Sequence, residues 1–445
     1  MIDKKVVDGS ITQFVETDPA RMDIDLAFKT IEGKRKDLDA LFSYFDGPQP
    51  LKYSTERLKD TFSNKINVHF DINWMTVVVD AVLDRLQLTG FSTGDENVDI
   101  TIKDVFDKLH IDLEADKAHA ASLATSQAYV IAWKEEEEIV LYYNDPRICH
   151  VFYEDANPNK KRFAAKKFER ADKKNEITLY YPDKIEHWVT DKKNADKSSA
   201  YDLELSEINT FGVIPVFELH SPGEIIKVVT LQDAINKLFS DMMVSAEFGA
   251  FAQRYVITQS DPGDLKNKPG ENWWIPAGDG TGESSKVGQF SPTELKNYLD
   301  AMDKIANYIA IITRTPKQYF MTTGADLSGE ALLAMEAPLI KKCKKRQNEF
   351  QAQWQDIVSF IAQLSGLNVL PDDVVCIWER VESTQPKTEA ETLQIGINSG
   401  IPLEVLLKRS GWTDEEIAEV TRMNAEKQGE LVDMINRNGA NNAIQ

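Results

Sequence analysis

Residues 328–364 constrain the fold more than any other stretch. Apolar side chains recur at Leu332, Leu339/Ile340, Cys343, Phe350, Trp354, Ile357/Val358, Ile361 and Leu364, in steps of three, four or seven that fall on one face of a helix. At about 1.5 Å per residue the segment would run roughly 55 Å, far beyond the usual three turns. Pro338 has no amide hydrogen and its ring crowds residue 334. The sequence therefore predicts a kink or break, with a short helix ending near Glu336 and a longer one beginning at Pro338. A small globular domain has no need of such a rod. The polar face is read as carrying Lys341, Lys342, Lys344, Lys345 and Arg346, in a chain whose formal net charge is -21.

A length of 445 residues accommodates about two to four domains with real cores, and 42% hydrophobic with 28% charged residues excludes global disorder. Three scattered cysteines, Cys149, Cys343 and Cys376, give neither a disulfide framework nor a thiolate metal site. A reducing compartment is the simple reading. The opening MIDKKVVDGSITQF lacks an apolar signal core and no run is long enough to span a bilayer, so synthesis inside the cell and no membrane partner are expected. A pI near 4.8 argues against a sequence-reading nucleic-acid binder. It leaves room for a protein that surrounds a polyanion without gripping it.

Along the chain, a helical opening with Ile11, Phe14, Val15, Leu26, Ile31 and Leu38 stops at Gly47-Pro48. Residues 50–66 read as a connector or partly helical arm. Trp74, Val77, Val78, Ala81, Val82 and Leu86 form an amphipathic helix capped by Asn73. Residues 90–99 read as a polar loop, and 105–113 and 115–127 as helices. From Ala128 the period changes to two, predicting short strands at 128–133, 139–143, 151–153, 163–168, 177–181, 184–188, 203–205 and 211–217, in a mostly antiparallel sheet with one wet face and Pro215 on an edge. The basic runs at 160–162, 166–167 and 173–174 read as solvated faces or edge protection.

Helical periodicity returns from Gly223, with a broad apolar band over 231–251. A strand at 254–258 precedes a Gly- and Pro-rich lobe around Trp273, Trp274 and Pro276. Ser291-Pro292-Thr293-Glu294 reads as the start of a helix that stops at Thr315-Pro316. A strand at 374–378 and helices at 387–399, 402–407 and from Thr413, capped with Glu416, precede a tail, 436–445, read as disordered.

Chemical motifs are sparse. Gly278-Asp279-Gly280-Thr281-Gly282 lacks the lysine of a phosphate cradle and reads as a flexible turn. The six histidines never fall at ligand spacing, and no nucleophile elbow occurs. No catalytic, cofactor or metal residue is assigned, and the enzyme hypothesis, acids brought together by folding, is the weakest. Residues 312–330 support two readings: a helix stop with a surface loop, or a mobile loop between two long helices that would line a hole if copies formed a ring.

The ordered phrases Asn73-Trp74, Val78-Val79-Asp80, Ala128-Tyr129-Val130, Pro215, Leu231-Gln232-Asp233-Ala234-Ile235-Asn236-Lys237-Leu238-Phe239-Ser240-Asp241-Met242, Ala246-Glu247-Phe248, Ile311-Ile312-Thr313-Arg314-Thr315-Pro316, Ser328-Gly329-Glu330-Ala331-Leu332 and Glu336-Ala337-Pro338-Leu339 resemble the portal proteins of tailed bacteriophages, in the siphophage branch. The resemblance covers most of the chain. It implies an α+β portal fold with long stem and wing helices, an antiparallel β-rich wing and a small clip lobe.

By that resemblance, residues 1–222 build the wing (helical 1–127, β-rich 128–222), 223–252 a stem helix, 253–290 the clip and 291–316 the second stem helix. Residues 317–327 become a tunnel loop with Thr322, Thr323, Gly324, Ala325 and Asp326, residues 328–365 a long wing helix kinked at Pro338, and 366–435 a C-terminal wing or crown region. Trp273, Trp274 and Pro276 become the clip's contact lobe. The implied partners are about twelve copies of the chain, a terminase large subunit, a head-tail adaptor, major capsid and scaffolding proteins, and double-stranded DNA passing without sequence specificity. The implied place is the virion's portal vertex, with assembly in the bacterial host cytoplasm. The cations at 341–346 would meet an adjacent subunit or water, and DNA only if the kink turned them to the axis. The alternative is an intracellular scaffold or adaptor without a DNA channel.

Overall fold

The computed structural model describes residues 19–47, 49, 72–135, 138–250, 254–257, 286–291, 294–320, 329–381, 386–410, 412, 417–418 and 420–424. It is a mixed fold of helices and antiparallel strands in two compact units, 1–379 and 380–445. Helix α1 (Pro19–Asp46) stops at Gly47, whose φ of 68° suits a residue without a Cβ and whose amide bonds the Ser43 carbonyl at 3.0 Å. Its buried stripe is Ile24, Ala27, Ile31, Leu38 and Phe42, whereas Leu26 faces out. Helix α2 (Trp74–Leu83) opens at Asn73, whose side chain accepts from the Thr76 amide as expected.

The region read as a polar loop is partly ordered by a distant partner. Strand β1 (Leu88–Ser92) pairs antiparallel with β12 (Val375–Trp378), and α3 (Glu96–Leu109) starts at Asp95, whose carboxylate accepts from the amides of Asn97 and Val98. Nothing local announces β1, because its hydrogen bonds go to residues almost three hundred positions away. Helix α4 (Ile111–Thr125) follows after His110, which takes the left-handed conformation between the two helices.

The β region is two sheets rather than one. Strands β2 (Gln127–Glu135), β3 (Glu138–Asn144) and β9 (Val216–His220) form one in the order β3-β2-β9. Strands β4 (Cys149–Glu154), β5 (Asn157–Glu169), β6 (Asn175–Tyr180), β7 (Lys184–Thr190) and β8 (Asp202–Ile208) form the other, an antiparallel meander in chain order. Alternation assigns the faces. Phe163 and Ala165 of β5 pack with Phe152, Ile177, Leu179 and Trp188 beneath Ile24, Ala27 and Ile31 of α1. Ala164 points the other way, with Val151, onto Tyr129 and Ile131 of β2 and Val216 of β9. Central strands are thus covered on both sides, which is why Ala128–Ala132 is apolar without alternation. The wet strand is the edge β8, exposed along its whole length. Pro215 precedes β9, an edge strand that starts at Val216 rather than 211, and gives its carbonyl to the Ala132 amide at 3.1 Å.

Part of the basic runs holds α1 on its sheet instead of lying free in water. Lys167 reaches Glu32 at 2.5 Å and Arg162 reaches Asp23. Lys161 donates to the Val216 carbonyl at 3.0 Å over the Phe217 ring, and burial pushes its ammonium down to about 8.

Helices α5 (Val229–Ala250) and α6 (Lys296–Thr313) follow, with β10 (Arg254–Ile257) and β11 (Lys286–Gln289) paired between them. Helix α6 starts at Lys296 without a side-chain cap, later than the expected start at Ser291, which is not helical. Helix α7 (Gly329–Leu364) is the long one, and it runs through Pro338 without a break. Pro338 and Ala334 are both exposed, so water can take the carbonyl that proline leaves unpaired. Its C-terminal half is core: Phe350, Trp354, Ile357 and Val358 are at most 1% exposed, each fully buried apolar side chain contributing about 1.5–3 kcal/mol. Among the described residues, no helix is long and apolar enough to cross a membrane.

In the second unit, α8 (Pro386–Asn398) and α9 (Leu403–Arg409) meet so closely that a Cβ on Gly396 would lie 2.4 Å from Leu406. The expected capping box at Thr413 and Glu416, the arm at 50–66 and the tail at 436–445 lie outside the described residues.

His119 of α4 sits at the centre of the helical core, fully buried, between Phe350 and Trp378 and accepting from Trp354 Nε1 at 2.9 Å. Burial pushes it down to about 3. An unfolded chain takes up this proton below about 6.5 while the folded one refuses it, so folding stability falls as pH drops from about 6.5 towards 3 and is unaffected above. His119→Gln is expected to flatten the stability curve by about 1.4 kcal/mol per pH unit between about pH 6 and 4, read from urea unfolding at each pH.

Candidate functional site

Helix α5, which packs beside α6, carries a row of buried polar groups on one face. Gln232, Asp233, Asn236 and Ser240 on α5 are all at most 3% exposed. Asn236 donates to Gln49 at 2.6 Å and accepts from the Ile72 amide at 3.1 Å, Gln49 donates to Asn73 at 2.7 Å, and Tyr44 donates to Asp233 at 2.5 Å. This network ties α5 to the end of α1 and the start of α2 through hydrogen bonds between buried side chains. The phrase Gln232-Asp233…Asn236 thus acts as an anchor for α5.

Helix α6 packs on α5, where Tyr298 and Ser245 share a hydroxyl hydrogen bond at 3.0 Å. Its packed face is Met302, Ala306, Ile309, Ala310 and Thr313. The opposite face carries Tyr308, Ile311 and Ile312, 57%, 74% and 48% exposed. Arg314 ends the helix in the left-handed conformation, and a short 3-10 turn, Lys317–Tyr319, is pinned on both sides. Lys317 reaches Asp303 at 2.9 Å, and Tyr319 accepts from Arg85 at 2.9 Å and donates to Glu336 at 3.2 Å. Phe320 then stacks edge-on against Trp74 at 5.6 Å.

Behind this turn lies an ion cluster that sequence reading missed. Glu224, Lys342 and Arg346 are each 8% exposed. Glu224 accepts from Lys342 Nζ and Arg346 Nε, both at 3.0 Å, and Lys342 also donates to the Thr313 carbonyl at 2.6 Å. Spacing of four places Lys342 and Arg346 on one inward side of α7, so the five-cation run is not one polar face. Burial lowers Lys342 and Glu224 opposes that shift. Glu224 itself is placed by the connector before α5: its amide bonds the Leu123 carbonyl at 2.7 Å and the Gly223 amide bonds Ser126 Oγ at 2.9 Å. No sequence signal could pair residues more than a hundred positions apart.

Thr322, Thr323, Gly324, Ala325 and Asp326, and the lobe residues Trp273, Trp274 and Pro276, lie outside the described residues, while Pro338 is inside α7. Strands β10 and β11 close the chain on either side of the lobe, and Tyr255 and Phe290 meet there at 5.1 Å. No group of three or more His, Cys, Asp or Glu suited to a metal occurs among the described residues.

A family model described as phage portal protein, SPP1 Gp6-like, matches residues 33–432. The chain belongs to this portal protein family. It is 25% identical over 421 residues to a portal protein of Mycobacterium phage D29, covering 84% of each chain. It is 24% identical over 440 residues to a portal protein of Mycobacterium phage L5, covering 89% of this chain and 86% of the relative. A solved structure titled "Neck of empty GTA particle computed with C6 symmetry" aligns over 82% of this chain and 95% of its own, with a TM-score of 0.45 and 12% identity. As a phage portal family member, the chain has a structural role at the head-tail connection and capsid.

Removing the carboxylate from the buried cluster leaves two cations without a counter-charge. Glu224→Ala is expected to cost about 3–5 kcal/mol in urea unfolding. Breaking the exposed Lys192–Glu169 pair with Lys192→Ala should change stability by less than about 1 kcal/mol.

Proposed function

We propose that this portal family member closes into a ring of about twelve copies at one capsid vertex and conducts double-stranded DNA during packaging and ejection. The observation that carries this reading is the second apolar face of α6. Tyr308, Ile311 and Ile312 are uncovered while the opposite face of the same helix is packed. A helix apolar on two sides needs two neighbours, and a head-to-tail contact repeated with closing rotation gives a ring. Leu332 and Met335, exposed near the start of α7, extend the uncovered surface.

In this reading residues 1–222 are wing, α5 and α6 are stem helices, the lobe between β10 and β11 is the clip, and the segment before α7 is a tunnel loop with Thr322–Asp326 nearest the DNA. The clip, through Trp273, Trp274 and Pro276, receives the terminase large subunit during packaging and the head-tail adaptor afterwards. Major capsid and scaffolding proteins meet the wing, and assembly takes place in the bacterial host cytoplasm. A formal charge of -21 per copy gives a ring on the order of -250, which disfavours tight phosphate contact and lets a duplex slide. ATP hydrolysis belongs to the motor in this scheme, and the chain is a passive conduit.

Native mass measurement and electron micrographs of the purified chain are expected to show a ring with a hole wide enough for a duplex. Tyr308→Asp with Ile311→Asp should leave a folded monomer. A monomer or dimer from the unmodified chain under all assembly conditions refutes the ring and leaves the adaptor reading. Deleting Thr322 to Ala325 is expected to keep ring assembly and reduce packaged DNA, and an unchanged DNA yield would remove the loop from that role.

A further inference from the structure

A cleft of about 290 Å³ opens between the connector before α5, the end of α6 and the middle of α7. Lys227, Arg314, Lys341, Lys342, Lys345 and Arg346 line it, with Glu224 as the one carboxylate of the lining. Glu224 is shared by the two buried cations, and Glu349 answers Lys345 at 3.7 Å and Arg346 at 2.7 Å. Lys227, Arg314 and Lys341 are exposed and make no ion pair among the described residues. A chain of net charge -21 has thus gathered a surplus of cations in one hollow. Their mutual repulsion is a cost that an anionic occupant would remove.

The occupant's identity follows from where the cleft lies. Arg314 at the end of α6 and Lys341 in the middle of α7 share it. Twelve residues of α7, Gly329 to Ile340, carry the start of that helix about 18 Å away. In the ring proposed above, with the start of α7 towards the DNA, the cleft sits behind it in the wall, where the next copy's surface is the nearest material. The other side of the same helix shows what that surface offers. At about 100° per residue, Glu336, Cys343 and Gln347 fall within about 40° of one another, and Lys341 and Lys345 lie on the opposite side of α7. The end of α2 packs on the Glu336 side: Arg85 reaches Glu336 at 3.5 Å and its carbonyl accepts from Gln347 at 3.2 Å.

Asp80 and Asp84, at that end of α2, gather there with Asp116 of α4. Burial first, then Asp84 and Asp116, hold Asp80 above the usual carboxylate range, and burial with Asp84 does the same to Asp116. The charged groups that perturb these two carboxyls are one another's carboxylates. One flank of the strut therefore carries unmatched cations and the other unmatched anions, the arrangement a head-to-tail contact joins.

We propose that the cleft receives the Asp80, Asp84 and Asp116 carboxylates of the next copy around the ring, an ionic latch that sets the register between neighbours. It rests on the ring reading above and names the residues that would close each contact. In the full chain, Lys341→Glu with Lys345→Glu should melt like the parent yet fail to form rings, and Asp84→Lys with Asp116→Lys should fail in the same way. Co-expressing the two variants restores opposite charges at every contact and should restore rings holding both in equal amounts.

Rings from either variant alone, or no rings from the mixture of two variants that each fold, would overturn the latch while leaving the ring itself standing. Rings of the cation-reversed variant that package less DNA would assign the cleft to the duplex and equally overturn it. If the unmodified chain forms no ring, the portal-ring reading falls first and the latch with it.

Discussion

The buried Glu224–Lys342–Arg346 cluster is the constraint on which the arrangement of the long helices α6 and α7 depends. Two cations and a carboxylate out of water are costly individually, and each is tolerated because the others stand within about 3 Å. That distance requirement acts on three elements at once. The connector before α5 must bring Glu224 in, α7 must present its middle turns inward, and α6 must end where the Thr313 carbonyl can accept a second hydrogen bond from Lys342. Sliding α7 by one residue would swing both cations about 100° away. The cluster therefore fixes the register of the longest helix against the sheets and the stem together, a specificity role more than a net gain in stability.

With α7 fixed in this way, its two halves meet different surroundings. From Leu339 onward the apolar stripe is covered by α4, β1 and β12 through His119, Phe91 and Trp378. Before Leu339 the same stripe continues into Leu332 and Met335, which are exposed among the described residues. Pro338 stands at that transition. Its position on the exposed side explains why the helix survives there: the cost of one missing amide donor is moderated by water at the Ala334 carbonyl. In the proposed ring, a helix half packed in its own core and half exposed would pass rigidity from that core to a neighbouring copy.

Much of the fold was legible because periodicity reports burial directly. The switch at Ala128 from a helical to a strand period, the α7 stripe and the Asn73 cap are all local patterns, and all appear in the structure. What was not legible depends on partners distant in sequence. Strand β1 looks like a loop until residues 375–378 supply its hydrogen bonds. A single wet-faced sheet was expected, but Phe163 and Ala164 point to opposite cores, a fact that needs knowledge of what lies on each side. Lys161, Lys167 and Arg162 read as surface charges because a lysine's stem and head can lie in different environments. The same holds at the site: Gln232 and Asn236 were visible as a motif but not as an anchor, and Glu224 carried no signal at all.

Charge gives the site its wider logic. An acidic chain suits a wall past which a polyanion must move, but identical acidic subunits also repel one another at every contact. Apolar burial along α6 can hold copies together without discriminating between nearby registers, since hydrophobic contact is non-directional. The proposed latch, with opposite charges on the two flanks of α7, would supply that discrimination, because a shift in register brings like charges together at a cost that grows as water is excluded. In the wall proposed above the basic residues would belong between the copies rather than along the path of the DNA. Confining them to a cleft between copies would, in the proposed ring, keep a conduit's inner surface free of strong phosphate contacts while still orienting the subunits.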